Sequence, residues 1–366
     1  MNQRLFARIA LLAALTALAF GLLGGVNFAQ DEDDSAQPQA GPRGPKPMFT
    51  TLTPRYLSNL LGPLSPTVAN WAGSFTTGGT TYDFTMVGSD PSSTNTTTTV
   101  PVYIIPIKIV VAGKTFDPKG VESNVTASPI FNAGIDFTQG GTDLGNTQYI
   151  DAFQRGNFWS HVKTNTSYHV MLSPVTVLAE QTLNVPKQDG SVGNPFGFGQ
   201  VGIVNINYFD AHLQSIISGM STITPGSFPI ALTYNVYLSN TKNIFGCCIG
   251  GYHSAFGSAS APQTYAHSTY IPKSGVFAED VAALSHEVGE WIDDPFVNNS
   301  APNTGGCGGI LEVGDPLVEH DYGYVLGGFT YHLQDLVFLD YFSGDNSLQV
   351  NGWYSFQNEK TGGKCS

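Results

Sequence analysis

The sequence predicts an α+β fold for this chain of 366 residues, and three observations carry the prediction. Charged residues make up only 12% of it while Gly and Pro number 42 and 22, a mixture that suits many strands joined by turns better than long exposed helices. Apolar runs with the two-residue period of strands recur along the chain, separated by a few segments of helical spacing. These segments interleave without the regular βαβ rhythm of a doubly wound sheet.

In chain order, Arg4 and Arg8 precede an apolar run from Ile9 to Val26, and Ala29 is a small residue before a cut near Gln30. Residues 1–30 therefore read as a cleaved signal peptide. A retained anchor is the alternative, because the run approaches the roughly 18 residues needed to span a bilayer. Residues 31–50 are acidic from Asp31 to Asp34, then rich in Pro, Gly and Gln, and read as a flexible linker. The secreted domain is expected over 51–366, with 51–145 readable as a strand-rich N-terminal subdomain.

Within it, Tyr103, Ile105, Ile107, Ile109 and Val111 share one face of a strand over 101–111, and Pro106 predicts an edge or bulge there. The Ser/Thr/Asn run over 89–99 reads as a loop. A helix is expected over 146–159, strands over 168–178 and 201–207, and a helix over 208–218 with Phe209, Leu213, Ile216 and Ile217 on one side, placed to back the sheet. Strands over 230–238 and 264–271 follow, then a buried strand or short helix over 331–342 and a closing strand around Trp353, Tyr354 and Phe356.

Chemistry concentrates in Leu284–Trp291. At about 100° per residue, Val281, Leu284, Val288, Trp291 and Ile292 form one apolar stripe, and His286 and Glu290 share the opposite side. Residues four apart stack about 5–6 Å apart, so an imidazole and a carboxylate can converge on one ion. Glu287 is rotated off that pair, in reach of a water on the ion. Ser274 is the expected N-cap, Glu279 and Asp280 suit the first turn, and Pro295 ends the helix. Asp293 and Asp294 oppose the macrodipole and read as a solvated turn, with a place near the ion as the alternative. A third ligand is needed, and Glu312 returns after the Gly-rich loop over 305–309.

Together, His286-Glu-Val-Gly-Glu290, Asp294-Pro-Phe-Val-Asn298 and Glu312-Val-Gly-Asp315 resemble a variant of the zincin metallopeptidases. They are most similar to the secreted EXORDIUM-like, or phosphate-induced protein, family and its bacterial relatives. The clear resemblance spans 281–315. It implies a zincin-like mixed sheet packed against an active-site helix and a backing helix. By position it makes His286, Glu290 and Glu312 metal ligands, Glu287 the general base and Asp315 a residue orienting an imidazole. It departs from the family at Asp294, where relatives carry Asn.

Two functions follow as expectations. One is a metal-dependent hydrolase, peptidase-like, in which a metal-bound water attacks a carbonyl, Glu287 moves the proton, and His320, Tyr322 and Tyr324 are candidate oxyanion donors. The other is a non-catalytic extracellular protein with a structural metal. Two carboxylates and one imidazole cancel the charge of Zn²⁺, so the ion would acidify water less strongly, and the oxygen-rich set leaves Mn or Ca open beside Zn. Expected partners are a peptide or extracellular protein. The net charge of −13 argues against nucleic acid, and no membrane association is expected after signal cleavage.

Four cysteines, Cys247, Cys248, Cys307 and Cys365, in an exported chain predict disulfides. Neighbouring Cys247 and Cys248 rarely join each other, so each is expected to pair with Cys307 or Cys365. No nucleophile elbow or phosphate loop is present, and no G-x-G-x-x-G falls in a strand-to-helix setting.

Overall fold

Period-two alternation builds the centre of the molecule, as seen in a computed structural model that describes residues 46–50, 52, 55–56, 67–344, 347–349 and 352–359. The expected signal peptide, most of the expected linker, and Cys365 lie outside the described residues. The elements used below are β1 (Asn70–Thr77), β2 (Thr80–Val87), β3 (Val102–Val111), α1 (Tyr149–Asn157), β4 (Val201–Asn205), α2 (Ile206–Ser218), β5 (Phe228–Tyr234), β6 (Val236–Ser239), β7 (Cys247–Ile249), β8 (Gly251–Ser258), β9 (Ala261–Tyr270), α3 (Ala282–Asp293), β10 (Asp321–Leu326) and β11 (Phe329–Gln334).

The architecture is mixed α+β with several sheets. In the largest sheet β3, β5 and β9 run parallel and β8 joins β9 antiparallel. A smaller sheet carries β4, β6 and β7, with β4–β6 parallel and β6–β7 antiparallel. In β3, Val102 and Ile104 face one core while Ile105, Ile107, Ile109 and Val111 face another, because successive side chains leave opposite faces. Both faces of the strand are therefore buried. Pro106 falls where β3 stops pairing with β5 and begins pairing with Gln181–Val185, so its missing N–H coincides with a change of partner.

Helix α3 lies in the first core through Leu284, Val288, Trp291 and Ile292, with Val281 just before it. Helix α2 lies in the second core through Phe209, Leu213 and Ile217. The sheet is thus sandwiched between them, and α2 backs it as its spacing predicts. The Trp291 ring stacks on Phe228 at 3.7 Å and 10°, which fixes the rotation of α3 about its axis.

Several local expectations are corrected. Helix α3 begins at Ala282, well after Ser274, with Val281 at its N-cap and no side-chain cap. The Asp280 carboxylate instead accepts from the N–H groups of Val281 and His332, which ties the entry to β11. Asp293 and Asp294 are fully buried rather than solvated. At the C-terminal end, Gln154 Nε2 donates to Ile292 O at 3.2 Å and Asn299 Nδ2 to Asp293 O, so orphan carbonyls find side-chain partners. Residues 329–334 form β11 and Asp340–Ser343 a short helix. Around 353–356 there is no strand, only a bridge between Val337 and Ser355.

Residues 46–50 do not behave as linker. Met48 and Phe49 are each 6% exposed, because this segment pairs with β7. Cys247 and Cys248 are disulfide-bonded to each other, contrary to the expected partners. Their peptide is cis and their Cα atoms lie 3.0 Å apart. Cys307 is also disulfide-bonded. Among the described residues no helix is long and apolar enough to cross a membrane.

Candidate metal centre

The site is assembled by α3, the start of β8 and the loop after the Gly-rich turn. Helical geometry brings His286 Nε2 to 3.1 Å from Glu290 Oε1. The loop returning at Leu311–Asp315 adds Asp315 Oδ1 at 3.7 Å from the same nitrogen. Gly314 is what lets this loop come so close: a Cβ there would sit 2.5 Å from His286 Nδ1. Its backbone N–H donates to Glu290 Oε1 at 3.0 Å.

On the other side of Glu290, β8 presents His253. Its Nδ1 lies 3.3 Å from Glu287 Oε2 and 3.8 Å from Glu290 Oε2, while Nε2 donates to the carbonyl of Asp294 at 3.1 Å. That backbone bond assigns the Nε2–H tautomer and leaves the Nδ1 lone pair facing the two carboxylates. Gly251 gives Glu287 its room, since a Cβ there would meet Glu287 Oε1 at 2.8 Å. Glu290 is therefore the shared corner of two groups whose ligand atoms lie within 4.8 Å, namely His286/Glu290/Asp315 and His253/Glu287/Glu290.

The electrostatics are those of acids crowded in low dielectric. Burial, then the charge of Glu290, pushes Glu287 and Glu312 well above the carboxylate range and moves Asp315 the same way. Burial also acts against ionised Glu290, yet the positive charge of His286 beside it and the contact with Glu312 hold it at about 2. Burial lowers His253, so it stays neutral. Glu312 thus serves as the protonated partner of an ionised Glu290. Several buried polar atoms have no hydrogen bond: both His286 nitrogens, one Glu287 oxygen and one Glu312 oxygen. The 3.1 Å approach of His286 to Glu290 is an ion-pair distance without hydrogen-bond geometry. Such clusters of buried His, Glu and Asp can hold a metal ion.

Of the residues singled out by sequence, His286, Glu287, Glu290, Glu312 and Asp315 come together here. Asp315 lies with His286 and Glu290 in a group whose ligand atoms are within 4.8 Å of one another, while Glu312 touches Glu290. His320, Tyr322 and Tyr324 go elsewhere. His320 is paired with Glu359 at 3.2 Å on the surface, and Tyr322 and Tyr324 pack on the first core. Asp321, on the alternate face of β10, is the residue there that feels the His286 charge. A third group, Glu279/Asp280/His332, lies at the entry to α3 with Asp280 already occupied by backbone N–H groups.

Sequence reading missed His253 and Phe49. Phe49 stacks on the His286 ring with centroids 3.6 Å apart at 22°. Neither residue lies near the motif in sequence, and only β8–β9 pairing and the N-terminal segment's register bring them in. Comparison with protein families, curated proteins and solved structures finds no match for this chain.

Proposed function

We propose that this chain is a secreted metal-dependent hydrolase acting on peptide bonds, with a zincin-like arrangement in which His286, Glu290 and Asp315 hold a divalent cation, Glu312 assists, and Glu287 is the general base. One observation carries the reading: a fully buried imidazole with neither nitrogen hydrogen-bonded, in a cluster where Glu287 and Glu312 each also keep a buried oxygen without a hydrogen bond. Burying unpaired ionisable groups costs several kcal/mol each, and a cation answers both the lone pairs and the negative charge. The similarity of the motif to zincins and to EXORDIUM-like proteins supports the same assignment. Zinc is the first choice, with manganese or calcium admitted by the oxygen-rich donor set.

When bound, the cation would polarise a substrate carbonyl and favour ionisation of a nearby water. The chain's own residues do the rest. Glu287 accepts the water proton and passes it to the leaving amine. His253, held by the Asp294 carbonyl, places its Nδ1 3.3 Å from Glu287 Oε2. The Gly314 N–H fixes the Glu290 carboxylate, leaving its second oxygen toward His253.

A structural ion in a non-catalytic extracellular protein is the competing reading. One observation favours it: His253, His286, Glu287, Glu290 and Glu312 are all at most 3% exposed.

Elemental analysis of the purified chain tests both, together with His286→Ala and Glu287→Gln. The first variant is expected to lose metal; the second is expected to keep it and lose hydrolysis of a peptide library. A parent without stoichiometric metal removes the centre, and unaltered hydrolysis in Glu287→Gln removes the base. A metal-replete parent inert toward the library establishes the structural reading.

A further inference from the structure

We propose that the edge formed by β7 and the start of β8 is a binding groove for an extended peptide bearing an aromatic side chain, filled in this structure by the chain's own residues 46–49. What a bound peptide would encounter rests on the hydrolase reading; the groove itself does not.

The segment makes a parallel ladder with β7. Lys46 N–H donates to Cys247 O at 3.0 Å and Met48 N–H to Cys248 O at 2.9 Å, while Cys248 N–H donates to Lys46 O at 2.6 Å and Gly250 N–H to Met48 O at 3.1 Å. The same parallel register continues downstream, where Arg55 and Tyr56 pair with Phe256 and Gly257. Ser254 Oγ donates to Leu52 O between these two points. This is strand addition to a sheet edge: main-chain bonds supply affinity without reading sequence, and alternate side chains supply selectivity. Pro47 falls at the alternate position, where its missing N–H takes nothing from the ladder.

Selectivity comes from two sites on opposite faces. Met48 enters the second core. Phe49 enters an aromatic site between Phe277, at 5.0 Å, and the face of His286. Stacking on the ring face leaves the in-plane His286 Nε2 directed at Glu290 and Asp315, so a seated aromatic and a bound cation are compatible. The peptide backbone at the Phe49 position then passes one side chain from the buried carboxylates. Withdrawal of Phe49 would open the cluster that it covers. The ligand class is therefore an extended peptide with an aromatic residue over His286 and an aliphatic or thioether residue before it.

The test uses the full chain carrying Phe49→Ala and, separately, a full chain with a protease recognition sequence inserted within residues 57–66 and then cut. Fluorescence anisotropy follows a labelled synthetic copy of residues 46–52. Both proteins are expected to bind the copy about tenfold or more tighter than a copy with Ala in the Phe position, while the uncut parent leaves it unbound. Retention of the parent's thermal midpoint with no binding to either protein overturns the proposal, as does binding that ignores the Phe-to-Ala change. Unfolding on cutting also overturns it, since the segment would then be part of the fold. Because anisotropy needs no turnover, selective binding without cleavage sinks only the hydrolase reading, and cleavage without aromatic selectivity sinks only the groove.

Discussion

Replacing Gly314 with Ala isolates the close approach that brings the 311–315 loop onto α3. Gly314 has φ −90° and ψ −30°, a conformation any L-residue adopts, so no backbone strain accompanies the change. The new methyl would lie 2.5 Å from His286 Nδ1, 2.7 Å from Cε1 and 3.1 Å from Glu290 Oε1. Ordinary contact begins at 3.4 Å, so the imidazole or the loop must retreat by about 0.9 Å, several times the ~0.2 Å tolerance of a metal–ligand distance. The Phe49 ring on one face of the imidazole restricts its escape. In chelator, overpacking should cost about 1–3 kcal/mol, outweighing the ~0.4–1 kcal/mol that Gly→Ala gains through the unfolded chain. Metal affinity should fall by about 10–100-fold, the effect typical of disturbed ligand support. Competition with a chromophoric chelator measures the affinity, and thermal denaturation in chelator measures the packing cost separately. Gly120→Ala is the control, because a Cβ there meets nothing within 4 Å. Metal affinity within about twofold of the parent would refute the packing argument, since a displaced ligand cannot bind that well.

Three further outcomes follow from residues away from the centre. His267 is buried in β9 and desolvation pushes it from 6.5 to about 3; the folded state therefore refuses a proton that the unfolded state takes, and stability falls as pH drops through 6.5 toward 3. Below 6.5 this group alone should cost about 1.4 kcal/mol per pH unit, so in urea titrations with chelator the parent should lose roughly 2 kcal/mol more than His267→Gln between pH 7 and 5, and equal losses would remove the explanation. Tyr265 and Tyr252 both donate to the buried Asp210 carboxylate from opposite the face that carries α3; Tyr265→Phe should lower stability by about 1.5–3 kcal/mol, and a urea midpoint unchanged from the parent would show that this hydrogen bond is replaced. Peptide mapping under non-reducing conditions should recover one peptide holding both Cys247 and Cys248, lighter by two hydrogens than its reduced form, whereas a cross-linked pair of peptides containing either residue would contradict the adjacent bond.

Much of α3 was legible because its information is local. A period of 3.6 residues puts Leu284, Val288 and Trp291 on one stripe and His286 above Glu290, and no neighbour is needed to know it. The backing role of α2 was legible for the same reason, its apolar face having only the sheet to meet. The ends of elements were less so: the first turn of α3 depends on Asp280, whose acceptor role toward His332 links residues 52 positions apart. Ser274 had the right chemistry and the wrong distance.

What the sequence alone determined is the His286–Glu290 pair on one helix, its apolar stripe, and the downstream acids able to return to it. Tertiary structure decided which of those acids faces which atom: Asp315 reaches His286, and Glu312 keeps its proton and sits against ionised Glu290. It also brought His253 to Glu287 across 34 residues and Phe49 onto His286. The division has a physical cause. Helical spacing is set by covalent geometry within one turn, whereas β8, the 311–315 loop and the N-terminal segment are positioned by sheet register and by the absence of Cβ atoms at Gly251 and Gly314, which become meaningful only when the partner surface exists.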